Sequence, residues 1–293
     1  MTNIKSVRIL IMGLGNVGRR YLELLVRKER TLQDRLGLKI VVVGAADSSG
    51  AAVSPSGLDP ERIVQLKTEG QGAADYPEGG RAGLTALDLV KETEADALLD
   101  ASPANLKDGQ PGLTCIETAL SRGMHIVTAN KAPLVLAFPQ LQSLARKQGM
   151  RLAYDATVAG GLPAVNLGQR DLAVATIYKL EGILNLTTNY ILTRMAQDGL
   201  SYGEALAEAQ RAGHAEADPS LDVDGWDAAS KLVILSHAVL RQPITLEDVA
   251  VEGIRAVTKE MLDQALARGQ MLKLLASAVL NDGSYSYEVR PTF

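Results

Sequence analysis

The stretch VRILIMGLGNVG, residues 7–18, decides the fold of the first half of this chain. Its first six residues form an apolar run typical of a buried strand, and the helical pattern of residues 17–27 follows at once. Gly13, Gly15 and Gly18 fit the spacing G-x-G-x-x-G. In a strand–turn–helix unit the first glycine permits the tight turn, the second lets a pyrophosphate approach the backbone, and the third lets helix and strand pack closely. The stretch therefore predicts a dinucleotide-binding turn, with a glycine turn in some other βαβ protein as the alternative.

The residues after this turn indicate which cofactor it binds. The helix that opens at Asn16 and Val17 offers free N–H groups and the positive end of its dipole to phosphates. Asp47 ends the next apolar run, where a carboxylate can accept hydrogen bonds from the adenosine ribose. It would repel a 2′-phosphate, which favours NAD, whereas basic residues such as Arg19 and Lys67 could compensate. The sequence predicts NAD(P) and leaves the choice between the two open.

Apolar runs alternate with amphipathic helical patterns up to about residue 155, where the first domain is expected to end. This alternation predicts an α/β fold with a Rossmann-type, doubly wound parallel sheet covered on both faces. We expect the stretches 48–57 and 70–83, rich in Gly and Ser, to be loops. The predicted strands cover 7–12, 40–46, 97–100, 125–129 and 151–155. The predicted helices cover 17–27, 60–68, 85–94, 111–122 and 138–148.

The pattern changes after about residue 157, where Gly-Gly-Leu-Pro interrupts the alternation. Residues 156–293 are predicted to form a second α/β domain with antiparallel strands. Strands are expected at 177–184 and 285–290. Helices are expected at 188–197, 202–212, 226–240 and 260–280.

Composition excludes several classes of protein. Thirty Lys and Arg against 34 Asp and Glu, with 4% aromatic residues, give neither a basic nucleic-acid footprint nor base-stacking platforms. No apolar run reaches the length that spans a membrane. Cys115, the single cysteine, rules out a disulfide framework and a thiolate metal cluster. A soluble, cytoplasmic enzyme that binds a small molecule is expected.

Two polar residues follow other predicted strands of the first domain. Lys131 closes the sequence Thr-Ala-Asn-Lys after one strand, and Ser102 follows the strand that ends at Asp100. Ligands of doubly wound sheets bind outside the carboxyl ends of the strands. We therefore predict that Lys131 and Ser102 face the ligand, with an ordinary surface lysine as the alternative for Lys131.

An acidic segment, residues 213–227, carries the densest group of polar side chains in the second half. Asp227 and Lys231 are four residues apart and share one helix face, so the carboxylate can partner a lysine on a partly buried surface. Glu216 and Asp222 suit an ammonium group. This pattern predicts an amino-acid substrate whose reacting oxygen takes a proton from a lysine. A solvated acidic loop is the alternative.

Several motifs, in order along nearly the whole chain, resemble homoserine dehydrogenases of the short kind without a regulatory domain. The resemblance implies a nucleotide-binding domain and a domain for substrate binding and dimerisation, and hence a homodimer. It implies the NAD(P)-linked interconversion of L-aspartate 4-semialdehyde and L-homoserine, a step in threonine and methionine biosynthesis. The matching segments are 13–18, 46–48, 128–131, 155–163, 182–190 and 216–231.

The resemblance also implies roles for individual residues. Lys231 matches the proton donor, Lys131 matches the other active-site lysine, and Thr187 matches a threonine beside the substrate. The substrate-binding carboxylates implied by the match are Glu216, Asp222 and Asp227. A monovalent cation, sodium, is implied at main-chain oxygens of Asp155, Val158, Gly160 and Leu162.

Three departures from the family pattern leave open whether the activity is full or reduced. Leu186 stands where the family usually has Gly, and His214 where it usually has Tyr or Phe. The sequence ends at Phe293, whereas family members continue for some tens of residues back to the first domain. One alternative is a related aspartate-semialdehyde or amino-acid dehydrogenase, for which Cys115 is badly placed as a nucleophile. Another is a non-catalytic NAD(P)-binding relative that senses a metabolite.

Overall fold

The computed structural model describes residues 4–293 and divides into two compact units. The first unit is Met1–Thr157 and the second is Val158–Phe293. This division lies two residues beyond the position expected from the sequence. Across residues 4–293, no helix combines the length and apolar character needed to cross a bilayer.

The first unit is built on a seven-stranded sheet in the order β4-β3-β2-β1-β5-β6-β7. Strands β2, β1, β5, β6 and β7 run parallel, which confirms the predicted Rossmann-type sheet. Ile11 and Val42 are buried in the sheet against Leu22 of the first helix. The strands are β1 Lys5–Met12, β2 Leu38–Asp47, β3 Gly50–Val53, β4 Gly80–Ala82, β5 Ala97–Asp100, β6 His125–Thr128 and β7 Leu152–Ala153.

Local sequence explains one end of each of three helices in the first unit. Gly37, in the left-handed conformation, ends α1; the carboxylate of Asp59 caps α2; and a Thr85 capping box opens α3. Helix α5 is kinked at Ala137. The helices are α1 Asn16–Leu36, α2 Pro60–Thr68, α3 Ala86–Glu92, α4 Gly112–Ser121 and α5 Ala132–Gln148.

The strand order reverses direction at β1, because β2 lies on one side of it and β5 on the other. The register pairs Met12 with Ala46 and also with Asp100. The carboxyl ends of β1, β2 and β5 therefore meet at one edge. That edge is the topological switch point at which open α/β sheets bind their ligands.

Two predicted loops contain strands instead. Gly50–Val53 forms β3, which runs antiparallel to β2, and Gly80–Ala82 forms β4, which runs antiparallel to β3. Their small residues gave no β-branched pattern, and at Gly80 an added Cβ would lie 2.1 Å from the carbonyl oxygen of Ala74. Close backbone packing at glycine thus determines these strands, a feature that periodicity does not detect.

The second unit has a four-stranded sheet in the order β8-β10-β11-β9. Both β8 and β11 run antiparallel to β10, as predicted, while the two-residue β9 runs parallel to β11. The strands are β8 Lys179–Gly182, β9 Ala250–Val251, β10 Lys273–Asn281 and β11 Ser284–Thr292. The helices are α6 Ala164–Asn166, α7 Leu186–Asp198, α8 Tyr202–Arg211, α9 Ser220–Val223, α10 Trp226–Leu235 and α11 Lys259–Ala267.

The prediction of one helix over 260–280 is wrong. Helix α11 ends at Ala267, Gly269 adopts a φ of +69°, and the chain continues as β10. Leu274, Ala276 and Ala278 alternate along β10 and are buried. Their two-residue period was masked by neighbouring apolar residues, so the segment also fitted a helical pattern. The predicted helix over 226–240 is α10 followed by a π-helical turn, Ser236–Leu240.

Candidate active site

The glycine-rich turn lies at the carboxyl end of β1, with Gly15 as the residue before α1. Gly13 has a φ of +93°, and an added Cβ would lie 2.4 Å from the carbonyl oxygen of Ala101. A Cβ on Gly18 would lie 2.0 Å from the carbonyl oxygen of Gly13. In contrast, a Cβ on Gly15 would meet no described atom within 4 Å. Gly13 and Gly18 are therefore required by the fold, whereas Gly15 leaves open space beside the helix N-terminus.

This open space fits the phosphates of a dinucleotide. The N-cap Gly15 has no side chain to bind the first N–H groups of α1. Unoccupied N–H groups and the helix dipole together favour an anion at this position. Asn16 and Val17 are the first two residues of α1, so their N–H groups belong to this end.

Asp47 ends β2, as predicted, but its carboxylate is already surrounded by donors. The Nζ atom of Lys67 lies 2.7 Å from Oδ2, and Oδ1 accepts from the N–H of Ser49, its hydroxyl and the N–H of Ala73. Burial opposes the charged form, but the bonds from Lys67, Ser49 and Ala73 outweigh it and lower the pKa of Asp47. Since a carboxylate offers about four lone-pair sites, ribose hydroxyls compete with these donors.

A buried polar network lies where β5 and β6 end. The fully buried Asp100 accepts hydrogen bonds from the N–H and hydroxyl of Ser102, at 3.0 and 2.7 Å. Asn130 donates to the Ser102 hydroxyl at 3.1 Å and accepts from the N–H of Ala132. Burial raises the pKa of Asp100 despite these bonds. The network fixes the turn between β6 and α5, where Lys131 is the N-cap residue.

In the second unit, Lys231 lies on α10 with its amino group held at two points. Its Nζ atom is 2.8 Å from Oδ2 of Asp227, the predicted partner, and donates to the carbonyl oxygen of Leu184 at 2.6 Å. The side chains of Lys231 and Asp227 are 17% and 9% exposed. Both contacts hold the amino group in one position on a partly buried surface.

Two further predicted residues, Thr187 and Asp222, lie beside this pair. The hydroxyl oxygen of Thr187, near the start of α7, lies 2.7 Å from Oδ2 of Asp222 and 2.7 Å from the carbonyl oxygen of His214, two acceptors that share its single hydrogen. Asn185 donates to Oδ1 of Asp222 at 2.7 Å and to Oδ2 of Asp227 at 2.9 Å. Asn185 therefore joins Asp222 and Thr187 to Asp227 and Lys231 in one hydrogen-bonded group, and we call these five residues the lysine–carboxylate cluster.

Sequence reasoning did not assign a role to Asn185. The available signal was its position directly before a helix, where an asparagine side chain caps the first turn. Its Oδ1 atom does accept from the N–H of Thr188 at 2.8 Å. That signal predicts a cap and gives no hint that the same amide also reaches two carboxylates distant in sequence.

The other carboxylates of the acidic segment lie elsewhere. Asp218 accepts from the N–H and the hydroxyl of Ser220, the first residue of α9, while Asp224 pairs with Arg255. Glu216 is exposed, and Gln210 binds its main-chain oxygen at 3.1 Å. The structure thus does not bring Glu216 into the lysine–carboxylate cluster through a described hydrogen bond.

The predicted cation loop spans the division between the units. Asp155 begins a 3-10 turn, Asp155–Thr157, at the end of the first unit. In the second unit, Val158 is buried, Gly160 has a φ of +59° and Leu162 is exposed. Among residues 4–293 there is no group of three or more His, Cys, Asp or Glu side chains arranged to hold a metal. Side-chain ligands therefore give no support to the predicted sodium site. The prediction depends on main-chain oxygens alone.

The two substituted positions of the family pattern are accommodated without backbone strain. Leu186 is the first residue of α7, a helical position open to any L-residue, and its side chain is 64% exposed. The His214 ring packs against Tyr190 with centroids 4.9 Å apart. The imidazole therefore makes the ring contact expected of an aromatic residue.

Cys115 is expected to be unreactive in the native protein. It is fully buried on α4, and burial, assisted by the charge of Asp100, raises the pKa of its thiol to about 11. At pH 8 the thiolate fraction is then roughly 100-fold below that of an ordinary cysteine. Labelling by iodoacetamide should be correspondingly slow in the folded protein and become normal in urea. Rapid native labelling would reopen the case for a nucleophilic cysteine.

Comparisons with known proteins agree with this arrangement. A family model described as "Homoserine dehydrogenase" matches residues 163–293, and one described as "Glutamate/Leucine/Phenylalanine/Valine dehydrogenase" matches residues 1–107. The chain is 38% identical to a homoserine dehydrogenase of Methanocaldococcus jannaschii, over 94% of this chain and 81% of the relative. It is 34% identical to an NAD(+)-dependent homoserine dehydrogenase of Pseudomonas canavaninivorans, over 97% and 81%.

A solved structure is similar throughout. The crystal structure of a putative homoserine dehydrogenase from Archaeoglobus fulgidus matches with a TM-score of 0.85 and 36% identity, covering 98% of this chain and 83% of that one. Sequence and fold both agree with homoserine dehydrogenases over more than nine-tenths of the chain. The chain belongs to the homoserine dehydrogenase family of oxidoreductases.

Proposed function

We propose that this protein interconverts L-homoserine and L-aspartate 4-semialdehyde with NAD(P), and that the lysine–carboxylate cluster handles the substrate. The observation that carries the proposal is the ammonium group of Lys231, fixed between Asp227 and the Leu184 carbonyl. An ammonium has three N–H donors. Two have described partners, so the third is available to the reacting oxygen.

When bound, the nicotinamide supplies or accepts the hydride. During reduction of the aldehyde, negative charge grows on the substrate oxygen, and Lys231 is placed to donate a proton to it. During oxidation of homoserine, the same nitrogen receives the hydroxyl proton. Asp227 holds the Lys231 nitrogen in one orientation in both directions.

Substrate recognition falls to the remaining groups. Asp222 keeps lone pairs beyond those used by Asn185 and Thr187, and these suit the substrate ammonium. We assign Glu216 to the same ammonium and Lys131 to orienting the substrate, following the family pattern. We also extend the proposal to a sodium ion on the main-chain oxygens of Asp155, Val158, Gly160 and Leu162, testable as a Na⁺ dependence of turnover.

For the cofactor, we propose that NAD binds at least as well as NADP. The Pseudomonas relative is named as NAD(+)-dependent, which supports a preference for NAD. In this chain the Asp47 carboxylate at the end of β2 supports the same preference. Lys67 works against this preference, because it neutralises Asp47 at 2.7 Å and could instead meet a 2′-phosphate. Asp47 and Lys67 would therefore set the preference together.

Replacing Lys67 with methionine should weaken NADP binding about tenfold relative to NAD, or about 1.4 kcal/mol. Asp47→Ser should shift the preference in the opposite direction, because repulsion of the 2′-phosphate is lost. Lys39→Met, at the exposed opposite end of β2, is the control and should leave both affinities unchanged. Calorimetric titration of both cofactors measures the effect. Tenfold tighter binding of NADP than NAD by the unmodified protein would refute this role for Asp47.

We further propose that the protein is a homodimer formed through the second unit. Strand β8 lies at an edge of its sheet, and the segment before it exposes Leu167, Val174 and Tyr178. Exposed apolar residues beside a free strand edge favour association with a second copy. Light scattering should give twice the chain mass of 31.1 kDa. A monomer at micromolar concentration would contradict the proposal.

One substrate panel tests the proposed function against its alternatives. L-Homoserine should reduce NAD(P), whereas glutamate, leucine, phenylalanine and valine should not. Turnover of these amino acids instead would favour an amino-acid dehydrogenase. Cofactor binding without turnover of any substrate would favour the non-catalytic relative.

A further inference from the structure

We propose that Asn185 is a positioning residue whose side-chain amide joins Asp222 to Asp227 and so fixes the substrate-binding carboxylate of Asp222 relative to Lys231. This inference rests on the proposed function, since it assigns a task within the same site. It concerns a side chain that need not touch the substrate. Its effect is exerted through the two carboxylates that it bonds.

The hydrogen-bonding capacity of Asn185 is fully used. Its Nδ2 atom carries two N–H groups, one 2.7 Å from Oδ1 of Asp222 and one 2.9 Å from Oδ2 of Asp227. Its Oδ1 atom accepts from the N–H of Thr188 at 2.8 Å and from the Thr188 hydroxyl at 3.0 Å. A backbone N–H only donates and a carboxylate only accepts, so the amide can take only this orientation.

We call the two hydrogen bonds from Asn185 Nδ2 to Asp222 and Asp227 the Asn185 bridge. Burial strengthens this bridge, because water cannot easily take the place of the amide. Asn185 is 5% exposed and Asp227 8% exposed, and Thr188 is fully buried. Two carboxylates close together repel each other, and in a poorly solvated place an unpaired polar group is costly. The amide supplies one neutral N–H to each of them. Of these two carboxylates, Asp227 forms the ion pair with Lys231. Asp222 instead receives its hydrogen bonds from Asn185 and Thr187.

The cap position gives the bridge its precision. Because Oδ1 is fixed to the first turn of α7, the amide plane cannot rotate. The start of α7 thereby sets the distance between Asp222 on α9 and Asp227 on α10. Supporting hydrogen bonds of this kind hold functional groups within the narrow geometry that a reaction needs. The sequence would place an ordinary helix cap here, whereas the contacts give it this second task.

Two variants separate the cap from the bridge. Asn185→Ser keeps an oxygen that caps α7 but cannot reach both carboxylates. Asn185→Asp keeps the size and the cap but loses both N–H donors. Each is expected to raise the KM for L-homoserine and lower kcat, each by about tenfold, a typical coupling between directly bonded groups. Thr188→Val is the matched control, because it removes a buried hydroxyl bonded to Asn185 while leaving both bridge bonds. It should lower Tm with less than a twofold change in KM.

A double-mutant cycle with Asp222→Asn distinguishes positioning from a structural role. In that background Asn185→Ser should raise KM by less than about twofold, because the partner of the bridge is already altered. Additive effects, or wild-type KM and kcat in both Asn185 variants, would overturn the inference. An unmodified protein that neither binds nor oxidises L-homoserine would instead overturn the proposed function and this inference with it, and that result is seen before any variant is made.

Discussion

Lys231→Ala is expected to lower turnover by about 10²–10⁴-fold, the usual contribution of positioned proton transfer. Cofactor affinity should be almost unchanged, because the glycine-rich turn and Asp47 belong to the first unit and Lys231 to the second. The variant loses the nitrogen that meets the reacting oxygen and leaves Asp227 without its partner at 2.8 Å. Some loss of Tm is therefore expected alongside the loss of turnover.

Lys273→Ala is the matched control for this effect. Lys273 is another half-buried lysine of the second unit, bonded to the Thr193 hydroxyl at 2.6 Å, and burial lowers its pKa. Its replacement should change Tm without a comparable change in turnover at low temperature. Turnover, Tm and cofactor affinity should be measured on both variants. A folded Lys231→Ala protein with near-normal turnover would leave Lys131 as the lysine that supplies the proton.

Gly15→Ala is expected to weaken NAD(P) binding about 100-fold, or roughly 2.8 kcal/mol, while leaving the fold intact. An added methyl group at Gly15 meets no described atom within 4 Å. It would therefore occupy the open space in which we propose that the pyrophosphate binds. The loss of a glycine N-cap should cost about 1 kcal/mol of stability or less. Calorimetric titration and thermal unfolding of the same variant give both quantities.

Two further glycine variants bracket this result. Gly13→Ala should destabilise the first unit strongly, because its Cβ would lie 2.4 Å from the carbonyl oxygen of Ala101. Gly203→Ala, in α8 with open space around it, should affect neither stability nor affinity adversely. Unchanged cofactor affinity in Gly15→Ala would mean that the pyrophosphate does not approach this turn.

The parallel strands of the first unit could be predicted because β-branched runs such as 40–46 have a composition that only a buried strand explains. The cap at Thr85 and the Pro60 at the first turn of α2 likewise marked helix starts in the sequence. Strands β3 and β4 could not be predicted, since close backbone packing at glycines forms them. The helix wrongly predicted over 260–280 failed for a related reason, because small and apolar residues fit both periods there.

The site shows a similar division. The Asp227–Lys231 pair follows from a spacing of four on one helix, which is a local relation. The bridge from Asn185 links residues 37 and 42 positions apart, and no local pattern encodes it. The donors around Asp47 come from residues as far as 26 positions away. Long-range hydrogen bonds thus decide the parts of the site that the sequence did not reveal.

The most direct test of the proposed reaction follows the hydride itself. L-Homoserine carrying deuterium at C4, the carbinol carbon, should be incubated with NAD⁺ and with NADP⁺, and the reduced cofactor analysed by mass spectrometry and NMR. We expect one deuterium at C4 of the nicotinamide, with aspartate semialdehyde as the product, and about 10²–10⁴-fold slower transfer in Lys231→Ala. Bound cofactor that stays oxidised and unlabelled in the unmodified protein would contradict the account.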